Sequence, residues 1–92
     1  MKLVLTERFV RDVRALDAAG RAASFETLLA LPTAMARPHA HAGLGIRKLH
    51  ASGVYEARVG LRLRLLFTLA GDEAVLVRVA DHDEVRRYSK SL

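Results

Sequence analysis

The residues with chemistry to offer fall on one parity. Along three consecutive β-type stretches, the even-numbered positions hold Glu56 and Arg58, then Arg62 and Arg64, then Arg78, with His82 one step past the last stretch. Side chains alternate between the two faces of a strand, so this set would share one face. Arginine's planar fork grips a phosphate through two parallel hydrogen bonds. A carboxylate and an imidazole can take up and release protons near neutral pH. The set is therefore the inventory needed to hold a phosphodiester while protons move around it. Lys48 and His50 flank this face and would add phosphate contacts. On pattern alone a second reading stays open, because antiparallel sheets often turn one charged face to water. His39 and His41 have a spacing that binds metal on a strand, but they lie in a proline-containing loop with no third ligand in reach. No metal and no cofactor is expected.

These side chains need a scaffold, and the chain supplies one. Lys2 to Leu5 is long enough for a strand. Thr6 reads as a helix N-cap, followed by Glu7 in the first turn, where a carboxylate suits the helix dipole. Phe9, Val10, Val13 and Leu16 recur at helical spacing, with Arg8, Arg11, Asp12 and Arg14 on the other face. Asp17 to Gly20 reads as a turn or helix junction. A second helix is expected from about Arg21 to Leu31, with Ala22, Phe25, Leu28 and Leu29 inward and Pro32 ending it.

Residues 32–45 then form a loop by composition, and the period changes from 3.6 to 2. Strands are expected at Ile46–His50, Val54–Val59, Leu61–Leu69 and Ala74–Ala80, with turns at Ala51-Ser52-Gly53, Gly60 and Gly71-Asp72. A short helix from Asp83 to Leu92, capped by Asp81 or Asp83, closes the chain. The expected class is α+β, with an N-terminal strand and a two-helix hairpin packed on one face of an antiparallel sheet. Tyr55, Ala57 and Val59, then Leu61, Leu63, Leu65 and Phe67, then Val75, Val77 and Val79 would face the helices.

Composition sets outer limits. With 92 residues the chain is one small domain, spanning 1–92. At 51% hydrophobic and 27% charged, it has the balance of a folded soluble domain rather than a disordered tail. The formal charge of +5 favours a polyanionic partner. Cysteine is absent, which excludes disulfides, thiolate zinc sites and cysteine nucleophiles. No apolar run approaches the ~18 residues of a membrane-spanning helix, and the first residues lack the apolar length of a signal peptide. The expectation is a cytoplasmic protein with no membrane partner.

The runs Arg47-Lys48-Leu49-His50, Val54-Tyr55-Glu56-Ala57-Arg58-Val59-Gly60 and Leu63-Arg64-Leu65-Leu66-Phe67 resemble the sheet of the RelE/ParE toxin superfamily. The ending Val77-Arg78-Val79-Ala80-Asp81-His82-Asp83-Glu84 resembles members that carry a histidine at the end of the last strand. The order, spacing and size match over essentially the whole chain. Leu63 and Phe67 stand where the pattern has an aromatic residue and a tyrosine.

The RelE branch implies a type II toxin-antitoxin toxin: a metal-independent endoribonuclease acting on mRNA at the ribosome, with the RNA 2′-hydroxyl as nucleophile. By position, the resemblance makes Arg64 the phosphate-binding arginine and Arg58 a second basic contact. It makes His82 the general acid and Tyr88 a residue that orients or stacks on substrate. Glu56, at a position that is basic in some relatives, would serve as general base. The partners implied are a cognate antitoxin, a heterotetramer or larger complex with it, and operator DNA reached through the antitoxin. The ParE branch implies a different function on the same fold, inhibition of DNA gyrase by binding alone. For that function Glu56 and His82 would be incidental.

Overall fold

A computed structural model describes residues 1–37 and 43–92. His39 and His41 lie outside the described residues. In chain order the elements are β1 (Lys2–Leu5), α1 (Glu7–Ala15), α2 (Ala18–Ala36), β2 (Arg47–His50), β3 (Val54–Val59), β4 (Leu63–Ala70), β5 (Glu73–Asp81) and α3 (His82–Lys90). The five strands form one sheet in the order β1-β5-β4-β3-β2. β1 runs parallel to β5, and β2 to β5 form an antiparallel meander. The helical hairpin thus carries the chain from one edge of the sheet to the other. This is the expected α+β architecture, with a mixed rather than wholly antiparallel sheet.

Thr6 does two jobs at the start of α1. Its Oγ1 accepts the Phe9 N–H at 3.1 Å, and its hydroxyl donates to the Leu76 carbonyl at 2.7 Å. The cap therefore also fastens the helix to β5. Asp17 caps α2 in the same way, accepting the Gly20 N–H at 2.7 Å.

Pro32, expected to end the second helix, lies inside α2. Its ring has no N–H for the Leu28 carbonyl, a loss of about 3 kcal/mol in a helix interior. The helix continues because Leu31 and Ala34 on either side are fully buried against the sheet, and that burial offsets the defect. The inward face also differs from the expected one. It comprises Ser24, Thr27, Leu28, Leu31 and Ala34, whereas Phe25 and Leu29 are 45% and 72% exposed and Ala22 faces water. Two short hydroxyl side chains sit inward because each has a carbonyl to bond. Ser24 donates to Gly20 at 2.8 Å and Thr27 to Arg58 at 3.0 Å.

The sheet holds a second departure. Leu66 lies opposite Arg78 but Phe67 lies opposite Leu76, so Val77 is an extra residue in β5. Such a bulge reverses the parity of everything beyond it. Ala74 and Leu76 enter the core before the bulge and Val79 after it, while Val75 and Val77 are only half-buried. The main core joins these to Phe9, Val13, Leu28, Leu31, Ala57, Val59, Leu65 and Phe67. The opposite face is not free of helices. α3 folds onto it, and Val85 with Tyr88 closes a smaller core over Val54, Leu66, Ala80 and Leu49.

These placements separate two leucines that sequence periodicity treats alike. Leu31→Ala should lower unfolding free energy by about 2–5 kcal/mol, whereas Leu29→Ala should stay within about 0.5 kcal/mol. Urea titrations of the two variants measure the contrast.

Candidate functional site

Four of the residues singled out by parity converge. Arg58 on β3 and Arg64 on β4 are direct cross-strand partners. Two like charges in that position repel, so the pair is poised to accept an anion. Glu56, two residues before Arg58, is 5% exposed, and Arg47 of β2, directly opposite, donates through Nε to Glu56 Oε1. His82 opens α3 just past the end of β5. All of these line one cleft of about 610 Å3, whose apolar lining is Ile46, Leu49 and Val85 and whose α3 wall carries Arg86, Ser89 and Lys90.

Arg58 is shaped by a glycine. Gly45 has φ +56°, a left-handed conformation that disfavours any side chain. A Cβ there would stand 3.3 Å from Nη2 of Arg58 and 3.5 Å from its Cζ. The guanidinium therefore fills the space that a side chain at position 45 would take. Arg64 is steadied from Nη1, which donates to the Leu63 carbonyl at 2.8 Å.

The position of His82 depends on a chain of ion pairs behind it. Arg78 donates from Nε to Asp12 Oδ2 at 2.8 Å and from Nη2 to Glu84 Oε2 at 3.1 Å. Asp12 Oδ2 also accepts the Val79 N–H at 3.0 Å, and its Oδ1 accepts Arg8 Nε at 3.1 Å. Burial opposes the charge of Arg78, but the hydrogen bonds and fields of Asp12 and Glu84 outweigh it and raise its pKa. Glu84 Oε1 in turn accepts the Asp81 N–H, and Asp81 Oδ1 accepts the Glu84 N–H at 2.8 Å, a reciprocal capping box. Arg78 thus ties α1, the β5 bulge and the first turn of α3 together.

The remaining expected residues are elsewhere. Arg78 is engaged in this clamp rather than in the cleft. Arg62 lines a shallower cleft next door, with Arg64 and His82. Lys48 pairs with Tyr55 and does not line the cleft. His50 Nδ1 accepts the Ser52 N–H at 3.0 Å within the β2–β3 turn. Tyr88, expected to orient or stack on substrate, packs over the smaller core and does not line the cleft. Sequence parity missed Gly45, Arg47, Arg86, Ser89 and Lys90. Arg47 was not recoverable by counting: back from the Ala51-Ser52-Gly53 turn, regular pairing sets Lys48 against Glu56, and only the register shift between Lys48 and His50 puts Arg47 there as an opposite-charge cross-strand pair.

No family model matches the chain, and no curated protein does. Solved structures do. A copper-bound mutant toxin from Helicobacter pylori superposes with a TM-score of 0.68 at 21% identity, over 91% of this chain and 97% of that one. YafQ from E. coli BL21(DE3) gives 0.64 at 19% identity, over 91% and 96% of the two chains. A chain of the E. coli DinJ–YafQ complex gives 0.64 at 21% identity, over 90% and 94%. At these identities the likeness establishes the fold, and it is the RelE-like toxin fold that the sequence resemblance implied.

Two outcomes follow from this geometry. Gly45→Ala should displace the Arg58 guanidinium, seen as a shift of its Nε–Hε resonance by NMR, while the fold persists. The second is acid sensitivity of α3. The hydrogen bond from the Glu84 N–H holds the Asp81 carboxyl below its usual 3.8; desolvation opposes it, and the Glu84 side chain, the Arg87 charge and the Asp83 N–H add to the lowering. A depressed carboxyl contributes stability above its unfolded pKa and loses it as pH falls through the folded value. Amide exchange in α3 should therefore accelerate first at pH below about 4, and Asp81→Asn should flatten that dependence.

Proposed function

We propose that this protein is the toxin of a type II toxin-antitoxin system and cleaves mRNA on the ribosome, without a metal, through the RNA's own 2′-hydroxyl. The observation that carries the reading is the convergence of Arg58, Arg64, Glu56 and His82 on one cleft. The fold shared with a toxin of H. pylori and with YafQ supports it.

In this mechanism the scissile phosphate sits between Arg58 and Arg64, whose paired charges favour the extra negative charge of the five-coordinate transition state. Glu56, with one oxygen held by Arg47, takes the 2′-hydroxyl proton. The O2′ attacks phosphorus, the P–O5′ bond breaks, and His82 delivers a proton to the departing O5′. The products are a 2′,3′-cyclic phosphate and a 5′-hydroxyl, and charge and protons balance. A shallow open cleft suits a substrate positioned by the ribosome. The solved DinJ–YafQ complex supports an antitoxin as the partner, here an acidic or amphipathic segment laid over the basic cleft. Operator binding by the complex would run through the antitoxin, and the ribosome places the activity in the cytoplasm.

The test is cleavage of translated mRNA with EDTA present. Arg64→Ala and His82→Ala should each lower kcat by about 10²–10⁴-fold. Glu56→Gln should remove the acidic limb of the pH–rate profile and His82→Ala the basic limb. Supercoiling inhibition without RNA breaks would instead establish the gyrase-binding alternative.

A further inference from the structure

We propose that the outer face of α2 is a dimerisation seam, and that it takes the α2 of a second copy of this chain, packed parallel about a two-fold axis. α2 is apolar on two sides. Ser24, Thr27, Leu28, Leu31 and Ala34 are buried toward the rest of the domain. On the far side Ala18, Ala22, Phe25, Leu29, Pro32 and Ala36 recur at intervals of 4, 3, 4, 3 and 4 residues. That is the spacing of the seam of a two-stranded coiled coil. Leu29 is 72% and Phe25 45% exposed, and the three alanines are exposed as well. A helix at the surface of a domain normally turns charge to water on this side. Here it turns a heptad stripe instead.

Charge selects the occupant and its direction. α2 has only two charged side chains, Arg21 and Glu26, and both are exposed. They stand five residues apart, too far round the helix to pair with each other. Among the described residues Glu26 has no ion-pair partner, and Arg21 spends only Nη1, on the Leu16 carbonyl at 2.5 Å. In the heptad the two flank the seam on opposite sides, Arg21 just before Ala22 and Glu26 just after Phe25. Across a parallel helix pair those flanking positions meet at an offset of five residues. Arg21 of each copy therefore reaches Glu26 of the other, and symmetry makes the contact twice. An antiparallel pair would bring the two arginine flanks together and the two glutamate flanks together, which repel.

The seam points away from the sheet, so the body of the second copy stands clear of the first. The cleft under α3 lies across the sheet and stays open in both copies. Ala18 and Ala22 let the two helices approach closely beside the charged pairs, while Phe25 and Leu29 supply the apolar area that leaves water. Two large side chains per copy fall short of a permanent interface, which places the dissociation constant at about 10–100 µM. In more dilute solution the chain is monomeric, and there Leu29 contributes little to unfolding free energy.

The test is sedimentation equilibrium of the purified full chain from about 5 to 500 µM. Wild type should pass from monomer to dimer over that range. Leu29→Glu should raise the dissociation constant at least about tenfold. Arg21→Glu and Glu26→Arg should each raise it about fivefold, and the double reversal should restore it to within about twofold of wild type. All these positions are exposed, and circular dichroism verifies that the variants fold. A wild type monomeric at every concentration overturns the proposal, as it would be if the seam served a helix of another protein. A dimer that survives Leu29→Glu uses another surface and overturns it too. Single reversals that weaken the dimer without rescue in the double variant overturn the parallel pairing.

Discussion

Arg78 holds two carboxylates from two different helices, and most of the site follows from that. Its Nε bonds Asp12 of α1 and its Nη2 bonds Glu84 of α3. The β5 bulge makes this possible. By inserting Val77, it changes the register next to Arg78 at a point where β1 no longer pairs with β5, since that pairing ends at Leu76. Beyond it, Asp12 takes over the strand edge by accepting the Val79 N–H. Arg78 and Asp12 are largely withdrawn from solvent, at 15% and 11% side-chain exposure. In such a setting an unpaired partner is destabilising by about 3–5 kcal/mol. All three elements are therefore held to one arrangement.

From that arrangement the cleft inherits its shape. Glu84 completes the Asp81 capping box while bonded to Arg78, so the clamp fixes the first turn of α3 and with it His82. The same helix brings Val85 and Tyr88 down onto the smaller core. Its other side faces the cleft with Arg86, Ser89 and Lys90. A helix of nine residues would not persist alone in water; cap, clamp and apolar contacts together keep it in place.

Charge placement across the sheet is the other organising feature. Arg58 and Arg64 face each other without a carboxylate between them, while Glu56 is neutralised by Arg47 one strand over. Repulsion in the first pair is tolerated because both guanidinia sit at the cleft wall, one in the space that the missing side chain of Gly45 leaves and the other bonded to the Leu63 carbonyl. In the proposed mechanism, the RNA phosphate relieves it. The uneven distribution turns a modest net charge into a local anion site.

The chain order of strands and helices, the caps at Thr6 and Asp81, the hairpin turns and the convergence of Glu56, Arg58, Arg64 and His82 were all legible in the sequence. They depend on local spacing and on alternation: no bulge interrupts the pairing of β3 with β4, and Arg78 and His82 both lie beyond the β5 bulge, so the count from one to the other is unaffected. Tertiary structure alone decided that α2 runs through Pro32, that Ser24 and Thr27 rather than Phe25 and Leu29 face inward, and that Arg78 is a clamp. Each of these turns on a partner remote in sequence. Thr27 needs the carbonyl of Arg58, and Arg78 needs Asp12, 66 residues away. Periodicity reports which residues share a face, but a bulge or a long-range bond changes what that face meets.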